Sequence, residues 1–144
     1  MTGPDAIDPV EAARLLAAAS DEELAAGMEA NGELILAEIF RQMPGRLDAA
    51  AAGGVSAVIE WQVTGVGKED VRRWQVVIRE GSCEVLDEGT EDPSVVFRLG
   101  SVDFVRLVTG GTNGPKLFLL GRLRIEGDLL LAARVPGFFV IPRA

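Results

Sequence analysis

Few side chains in this sequence are of a type that could do covalent chemistry. Cys83 is the single cysteine, and the serines are Ser20, Ser56, Ser82, Ser94 and Ser101. A thiol or hydroxyl nucleophile needs a base within hydrogen-bond reach, most often histidine, and the chain has no histidine. A lysine-activated serine stays formally open, but Lys68 and Lys116 are the only lysines and both fall on predicted loops. The commonest metal ligand is missing with histidine, and one cysteine builds neither a thiolate zinc site nor an intrachain disulfide. Glu88, Glu91 and Asp92 gather on a predicted loop where they could meet a hard cation. Calcium-loop spacing is absent there, and a solvated loop is the simpler reading. Gly65-x-Gly67-x-x-Asp70 lacks the third glycine of a dinucleotide loop and joins two predicted strands. Gly110 to Lys116 has the composition of a phosphate loop, but Leu117 stands where Ser or Thr would hold magnesium. The expectation is a protein without catalysis, metal or cofactor.

What the chain has in quantity is large apolar groups, and their periods define the elements that carry them. Asp8-Pro9-Val10-Glu11 and Ser20-Asp21-Glu22-Glu23 are capping-box patterns that open two helices. Asn31-Gly32 is expected to break the second, after which Leu36, Ile39, Phe40 and Met43 recur at helical spacing until Pro44-Gly45. An alanine-rich turn follows over 47–52. From Val55 the period becomes two: Ala57, Ile59, Trp61 and Val63, then Trp74, Val76 and Ile78, alternate with polar residues, interrupted only by Val58. Glu80-Gly81 predicts a tight turn into a third strand at 82–86, completing a meander, and Val95, Phe97 and Leu99 mark a fourth. Ser101 is expected to cap a helix running to about Thr109, and 114–121 to be an apolar connector. Leu123 and Ile125 alternate with Arg122, Arg124 and Glu126 in a fifth strand, and Gly127-Asp128 turns into a capped final helix. This order predicts an α+β fold. A five-stranded, mainly antiparallel sheet is covered on one face by helices, with extra N-terminal helices, and its polar face meets water.

The totals agree with one compact unit. The chain has 144 residues, 48% of them hydrophobic and 25% charged, enough for a substantial core. A net charge of −8 with scattered cations argues against a nucleic-acid partner. A local basic patch could still meet an anionic membrane. The N-terminal residues lack a signal-peptide pattern, and the longest apolar stretch, 129–141, is broken by Arg134, Pro136 and Gly137. With one cysteine and no peroxisomal address in its last residues, a cytoplasmic location is expected.

Several ordered features resemble the sterol carrier protein 2 domain from near Leu34 to Arg134. The family pattern has a helix, a three-strand meander, a fourth strand, and a helix with Asp-Phe, Leu and Gly. A Phe-x-x-Gly-Lys-Leu-Lys-Ile-x-Gly-Asp segment and a Leu-Ala-x-Lys-Leu helix follow. This chain supplies Asp103-Phe104, Leu107 and Thr109-Gly110, then Phe118, Gly121-Arg122-Leu123-Arg124-Ile125 and Gly127-Asp128, then Leu131-Ala132-x-Arg134-Val135. Both strand lysines are arginines here, which keeps the charge. The resemblance implies an internal apolar tunnel for a fatty acid, acyl-CoA, phospholipid or sterol-like lipid, carried without catalysis. It divides the chain into a helical extension at 1–33 and a lipid-binding domain at 34–144.

If the tunnel is present, the side chains expected to line it come from facing elements. The first two strands offer Ile59, Trp61, Trp74, Val76 and Ile78, and the fourth offers Phe97 and Leu99. The following helix and connector offer Phe104, Val108, Leu117 and Phe118, and the C-terminal part Leu123, Ile125, Leu131 and Phe138. Arg122, Arg124 and Arg134 are candidates for a polar mouth. Periodicity does not separate a tunnel from a filled core, so two other readings stand. One is an assembly module with a filled core; the other is an accessory domain presenting lipid to a separate enzyme. Transient membrane contact and a homodimer are further expected partnerships.

Overall fold

The structure is a computed structural model that describes residues 9–87 and 91–140. Helices α1 (Pro9–Ala18) and α2 (Asp21–Gln42) are followed by a 3-10 turn (Met43–Arg46) and the short α3 (Ala49–Ala52). Strands β1 (Ala57–Val66), β2 (Glu69–Arg79), β3 (Ser82–Asp87) and β4 (Val95–Gly100) come next. Then follow α4 (Ser101–Val108), α5 (Gly114–Leu119), β5 (Leu123–Gly127), α6 (Leu129–Arg134) and a 3-10 turn (Val135–Phe138). The strand order is β3-β2-β1-β4-β5. Only β1 and β4 run parallel; the other three pairings are antiparallel. The expected α+β sheet is therefore present, with one parallel pair at its centre. Among the described residues no helix is long and apolar enough to cross a membrane.

Local signals explain most boundaries. Ser20 and Glu23 form a reciprocal capping box, Glu23 N–H donating to Ser20 Oγ at 3.1 Å and Ser20 N–H to Glu23 Oε1 at 3.0 Å. The Asp8 part of the other capping pattern lies outside the described residues. Glu80 and Gly81 both have positive φ, 53° and 76°, the tight-turn geometry that matches strand twist. Asn113 caps α5 through Lys116 N–H at 2.8 Å, so the expected connector is a helix. Ser101 does not cap α4: Gly100 holds that position, and the Ser101 hydroxyl donates to Gly65 O at 3.3 Å, tying the helix start to the β1–β2 hairpin.

Asn31-Gly32 interrupts the helix where expected: Asn31 is non-helical (φ −133°, ψ 20°), and α2 consists of two helical stretches joined across this kink. Packing explains why glycine stands there. A Cβ on Gly32 would come 2.7 Å from Val66 Cγ1, so its absence lets the helix lie directly on the hairpin. The anticipated boundary at 33/34 falls inside this helix.

The sheet's second face is less wet than alternation predicts. Val58, Glu60, Gln75 and Val77 on it are buried, and the segment 91–94 leading into β4 crosses Gln75 of β2 and Val58 of β1. Gln75 receives that crossing segment with both ends of its amide: Nε2 donates to Glu91 O at 2.7 Å, and Oε1 accepts Glu91 N–H at 3.1 Å. Ser94 N–H donates to Val58 O at 2.8 Å. Val58, the interruption in the β1 pattern, thus lies under a loop. Glu91 belongs to this crossing and pairs with Arg79 at 2.9 Å; Glu88 lies outside the described residues.

Candidate functional site

The inner face of the sheet carries one apolar row per strand, because residues in register share a face. Trp74, Trp61, Phe97 and Ile125 form one such row across β2, β1, β4 and β5. Helix α2 covers the β2–β1 end closely. Phe40 stacks on Trp74 at 4.7 Å with 9° between the rings and on Phe104 at 5.5 Å, and Phe104 meets Trp61 edge-on at 5.4 Å. That half of the interior is filled.

The other half is hollow. A cavity of about 780 Å³ lies over β4 and β5, bounded by Trp61 and Phe97 on the sheet and by Leu123 and Ile125 on the edge strand. Its remaining wall comes from Leu15 and Leu16 of α1, Leu34, Ile35 and Ile39 of α2, Leu107 and Val108 of α4, and Phe118 of α5. Leu129, Ala132, Val135, Phe139 and Val140 close it at the C-terminal side. The volume is in the range of sites for mid-sized organic molecules.

Polar contacts hold the walls apart. Arg106 on α4 donates to Leu16 O at 3.0 Å and Ala19 O at 2.6 Å, carbonyls at and just beyond the C-terminal end of α1, and pairs with Asp21 at 3.1 Å. One guanidinium thus pins α1 beside the cavity. The C-terminal segment is pinned through its backbone, with Val140 N–H on Arg46 O at 2.8 Å and Asp48 N–H on Phe138 O at 2.7 Å. Asp128 caps α6 through Leu131 N–H at 3.0 Å. Preceding it, Gly127 (φ +96°) sits so close to β4 that a Cβ would fall 2.5 Å from Ser94 O.

One polar stripe enters the wall. Glu38, Gln42 and Arg46 are spaced four apart along α2 and its terminal turn, and all three line the cavity. Arg46 donates to Gln42 Oε1 at 2.7 Å, and Gln42 Nε2 donates to Glu38 Oε1 at 2.7 Å. Glu38 is also bound by Arg41 at 2.6 Å, and these hydrogen bonds, Arg41's foremost, hold its carboxyl below the usual carboxylate range. Arg46 has no carboxylate partner among the described residues. Partial burial pulls its guanidinium below the ordinary arginine value, yet arginine stays charged in proteins. Among the described residues the wall therefore presents one cation without a carboxylate partner.

The family model described as "SCP-2 sterol transfer family" matches residues 36–140. The chain belongs to this family. It is 29% identical over 110 residues to the peroxisomal multifunctional enzyme type 2 of Mus musculus, covering 72% of this chain but only 15% of that enzyme. Among solved structures, the sec-alkylsulfatase Pisa1 of Pseudomonas superimposes with a TM-score of 0.59 at 17% identity, over 69% of this chain and 15% of that one. The sterol carrier protein 2 of Aedes aegypti in complex with palmitate gives 0.56 at 16% identity, over 70% and 90%. The five-stranded sterol carrier fold is thus shared both with a large enzyme and with a free-standing carrier protein.

Within this sterol carrier fold, the residues anticipated as tunnel lining divide by location. Trp61, Phe97, Val108, Phe118, Leu123 and Ile125 lie on the cavity wall. Ile59, Trp74, Val76, Ile78, Leu99, Phe104, Leu117, Leu131 and Phe138 are buried in the packed interior and do not line it. None of the three anticipated mouth arginines lines the cavity: Arg122 pairs with Asp103 at 3.0 Å, Arg134 lies over the Phe138 ring at 5.5 Å, and Arg124 is exposed on β5. Arg46, Glu38 and Gln42, with the α1 leucines, were not singled out from the sequence. The four-residue spacing of the polar stripe was visible in it, but only the fold shows that this stripe faces a void. Cys83 is half-buried on β3, and burial pushes its thiol up to about 11.

Proposed function

We propose that this protein binds and carries a single lipid molecule without catalysing a reaction on it. Its cavity would hold the lipid's apolar chain. The observation that carries this reading is a void of about 780 Å³ whose wall is apolar except for the Glu38–Gln42–Arg46 stripe and Thr109. Burying a chain there contributes roughly 0.8 kcal/mol per methylene, so useful affinity needs no covalent chemistry and no metal. Membership of the SCP-2 sterol transfer family and the palmitate held by the Aedes aegypti protein of the same fold support it.

Arg46 gives the guest a polarity. A carboxylate or phosphate head beside this guanidinium gains charge-assisted hydrogen bonds that an alcohol head does not match. A fatty acid is therefore expected to bind more tightly than the fatty alcohol of the same length, and Arg46→Met to remove that preference while leaving alcohol binding unchanged. The binding unit in this reading reaches back into α1, because Leu15 and Leu16 are part of the wall. Its setting in this reading is cytoplasmic, which cell fractionation tests.

Native mass spectrometry of the purified protein and displacement of a fluorescent fatty acid test the proposal. Bound lipid and saturable one-to-one displacement at micromolar probe are the expected results. A lipid-free protein with no saturable displacement would overturn it in favour of an assembly role.

A further inference from the structure

Exposed apolar side chains on this protein are concentrated at one place. Of the eight large hydrophobic residues left exposed among the described residues, five line the cavity, and the other three are their neighbours in the chain. Scattered leucines on a surface need no explanation, whereas a contiguous apolar lip around an opening does. Its densest part is Phe118, Leu119 and Leu120 at the end of α5 with Leu129 and Leu130 at the start of α6. Leu119 and Leu130 are 85% and 83% exposed. These two segments flank β5, the edge strand of the sheet, on either side in the chain.

The lip itself is locally cationic in an acidic chain. Residues 114–134, from α5 through α6, hold 4 Lys and Arg against 2 Asp and Glu, while the whole chain has a net charge of −8. Lys116 on α5 and Arg134 on α6 are exposed beside the exposed leucines and make no ion pair among the described residues.

We propose that the α5–α6 lip is a docking face for an anionic lipid bilayer, a step that rests on the lipid-carrying reading of the cavity. The leucines enter the acyl boundary while Lys116 and Arg134 meet the anionic headgroups, each cation near such a surface being attracted. Because Phe118 and Leu129 belong both to the lip and to the cavity wall, a docked bilayer is continuous with the cavity. An acyl chain then passes between them without crossing water. A second copy of the chain fits less well, since pairing two such lips sets Lys116 and Arg134 of one copy against the same cations of the other.

The test is co-sedimentation with vesicles of phosphatidylcholine alone or mixed with phosphatidylglycerol, using the whole chain and the double variant Leu119→Asp/Leu130→Asp. Neither side chain lines the cavity, so displacement of a soluble fluorescent fatty acid checks the carrier function independently. Expected are binding to the anionic vesicles that weakens as salt rises, little binding to phosphatidylcholine alone, and at least a tenfold loss in the double variant with unchanged displacement. Vesicle binding without any probe displacement would support the docking face while removing the cavity reading. Absent vesicle binding, or binding that the double variant retains in full, overturns the proposal. Self-association that the double variant abolishes, with no vesicle binding, also overturns it and assigns the lip to a second copy.

Discussion

Two isoleucines on the same face of the same sheet should respond oppositely to one substitution. Ile59 on β1 is 0% exposed and is flanked in register by Val76 and Val95, also 0% exposed. Ile125 on β5 pairs with Phe97 and lines the cavity. Replacing Ile59 with Trp forces an indole into filled space, which costs about 1–3 kcal/mol or more. At roughly 2–4 °C per kcal/mol for a chain of this size, the melting temperature should fall by several degrees. Replacing Ile125 with Trp has a void to enter. An aromatic pair with Phe97 contributes ~0.2–1 kcal/mol, so stability should change by less than about 1 kcal/mol. The same indole takes space from the guest. If it displaces about four methylenes at ~0.8 kcal/mol each, binding weakens by about 3 kcal/mol, on the order of a hundredfold. Thermal unfolding and fluorescent fatty-acid displacement on the two variants read both effects. The reasoning fails if Ile125→Trp destabilises as much as Ile59→Trp, since no void would then exist. It fails equally if folded Ile125→Trp binds lipid within a few-fold of the native chain, because the cavity would not be where lipid binds.

Other substitutions probe the supports of the cavity. Gly127→Ala combines a φ of +96° with a Cβ 2.5 Å from Ser94 O and should cost at least about 2 kcal/mol in urea unfolding; a loss under ~0.5 kcal/mol, the size of an ordinary surface change, would contradict that geometry. Gly32→Ala overpacks Val66 by ~1–3 kcal/mol, and Val66→Ala in the same chain should recover part of the loss; additive losses would show that the two do not touch. Arg106→Ala removes the donors on Leu16 O and Ala19 O, so hydrogen exchange should accelerate in α1 and the start of α2 while sheet amides keep their protection. Uniform acceleration would mean that Arg106 supports the whole fold rather than this wall. Burial raises the Cys83 thiol from 9.0 to about 11. Its contribution to stability is thus complete below pH 9 and declines as pH rises through about 11. Cys83→Ser should flatten that alkaline decline, and an unchanged pH profile would assign it to other groups.

The elements were legible in the chain wherever their cause is local. Capping residues such as Ser20 and Asp128, the Glu80-Gly81 turn and the period-two runs act within a few positions of themselves, so they mark boundaries without reference to the rest of the fold. Signals whose meaning depends on a distant partner told only part. Asn31-Gly32 marks the kink in α2, but the pattern did not show that Gly32 also makes room for Val66. Ser101 reads as a helix cap, but its hydroxyl is taken by Gly65 O. Val58 and Gln75 look like an irregularity and a wet residue until the crossing segment at Glu91 to Ser94 covers them.

The site divides in the same way. Alternation in β1, β2, β4 and β5 by itself put Ile59, Trp61, Trp74, Phe97 and Ile125 on faces of one kind, because side chains on a strand repeat every two residues. Their order and the glycine-rich segment around Gly121 to Asp128 also pointed to the sterol carrier family. Only the tertiary structure decided which part of that face is filled. Phe40 comes down on Trp74 and Phe104, whereas Phe97 and Ile125 border the cavity. The same placement made Arg46, rather than Arg122, Arg124 or Arg134, the cation at the cavity. A void is a property of what fails to meet across the interior. No periodicity along the chain encodes it, since it depends on how far a kinked helix lies from a strand separated from it in sequence by many residues.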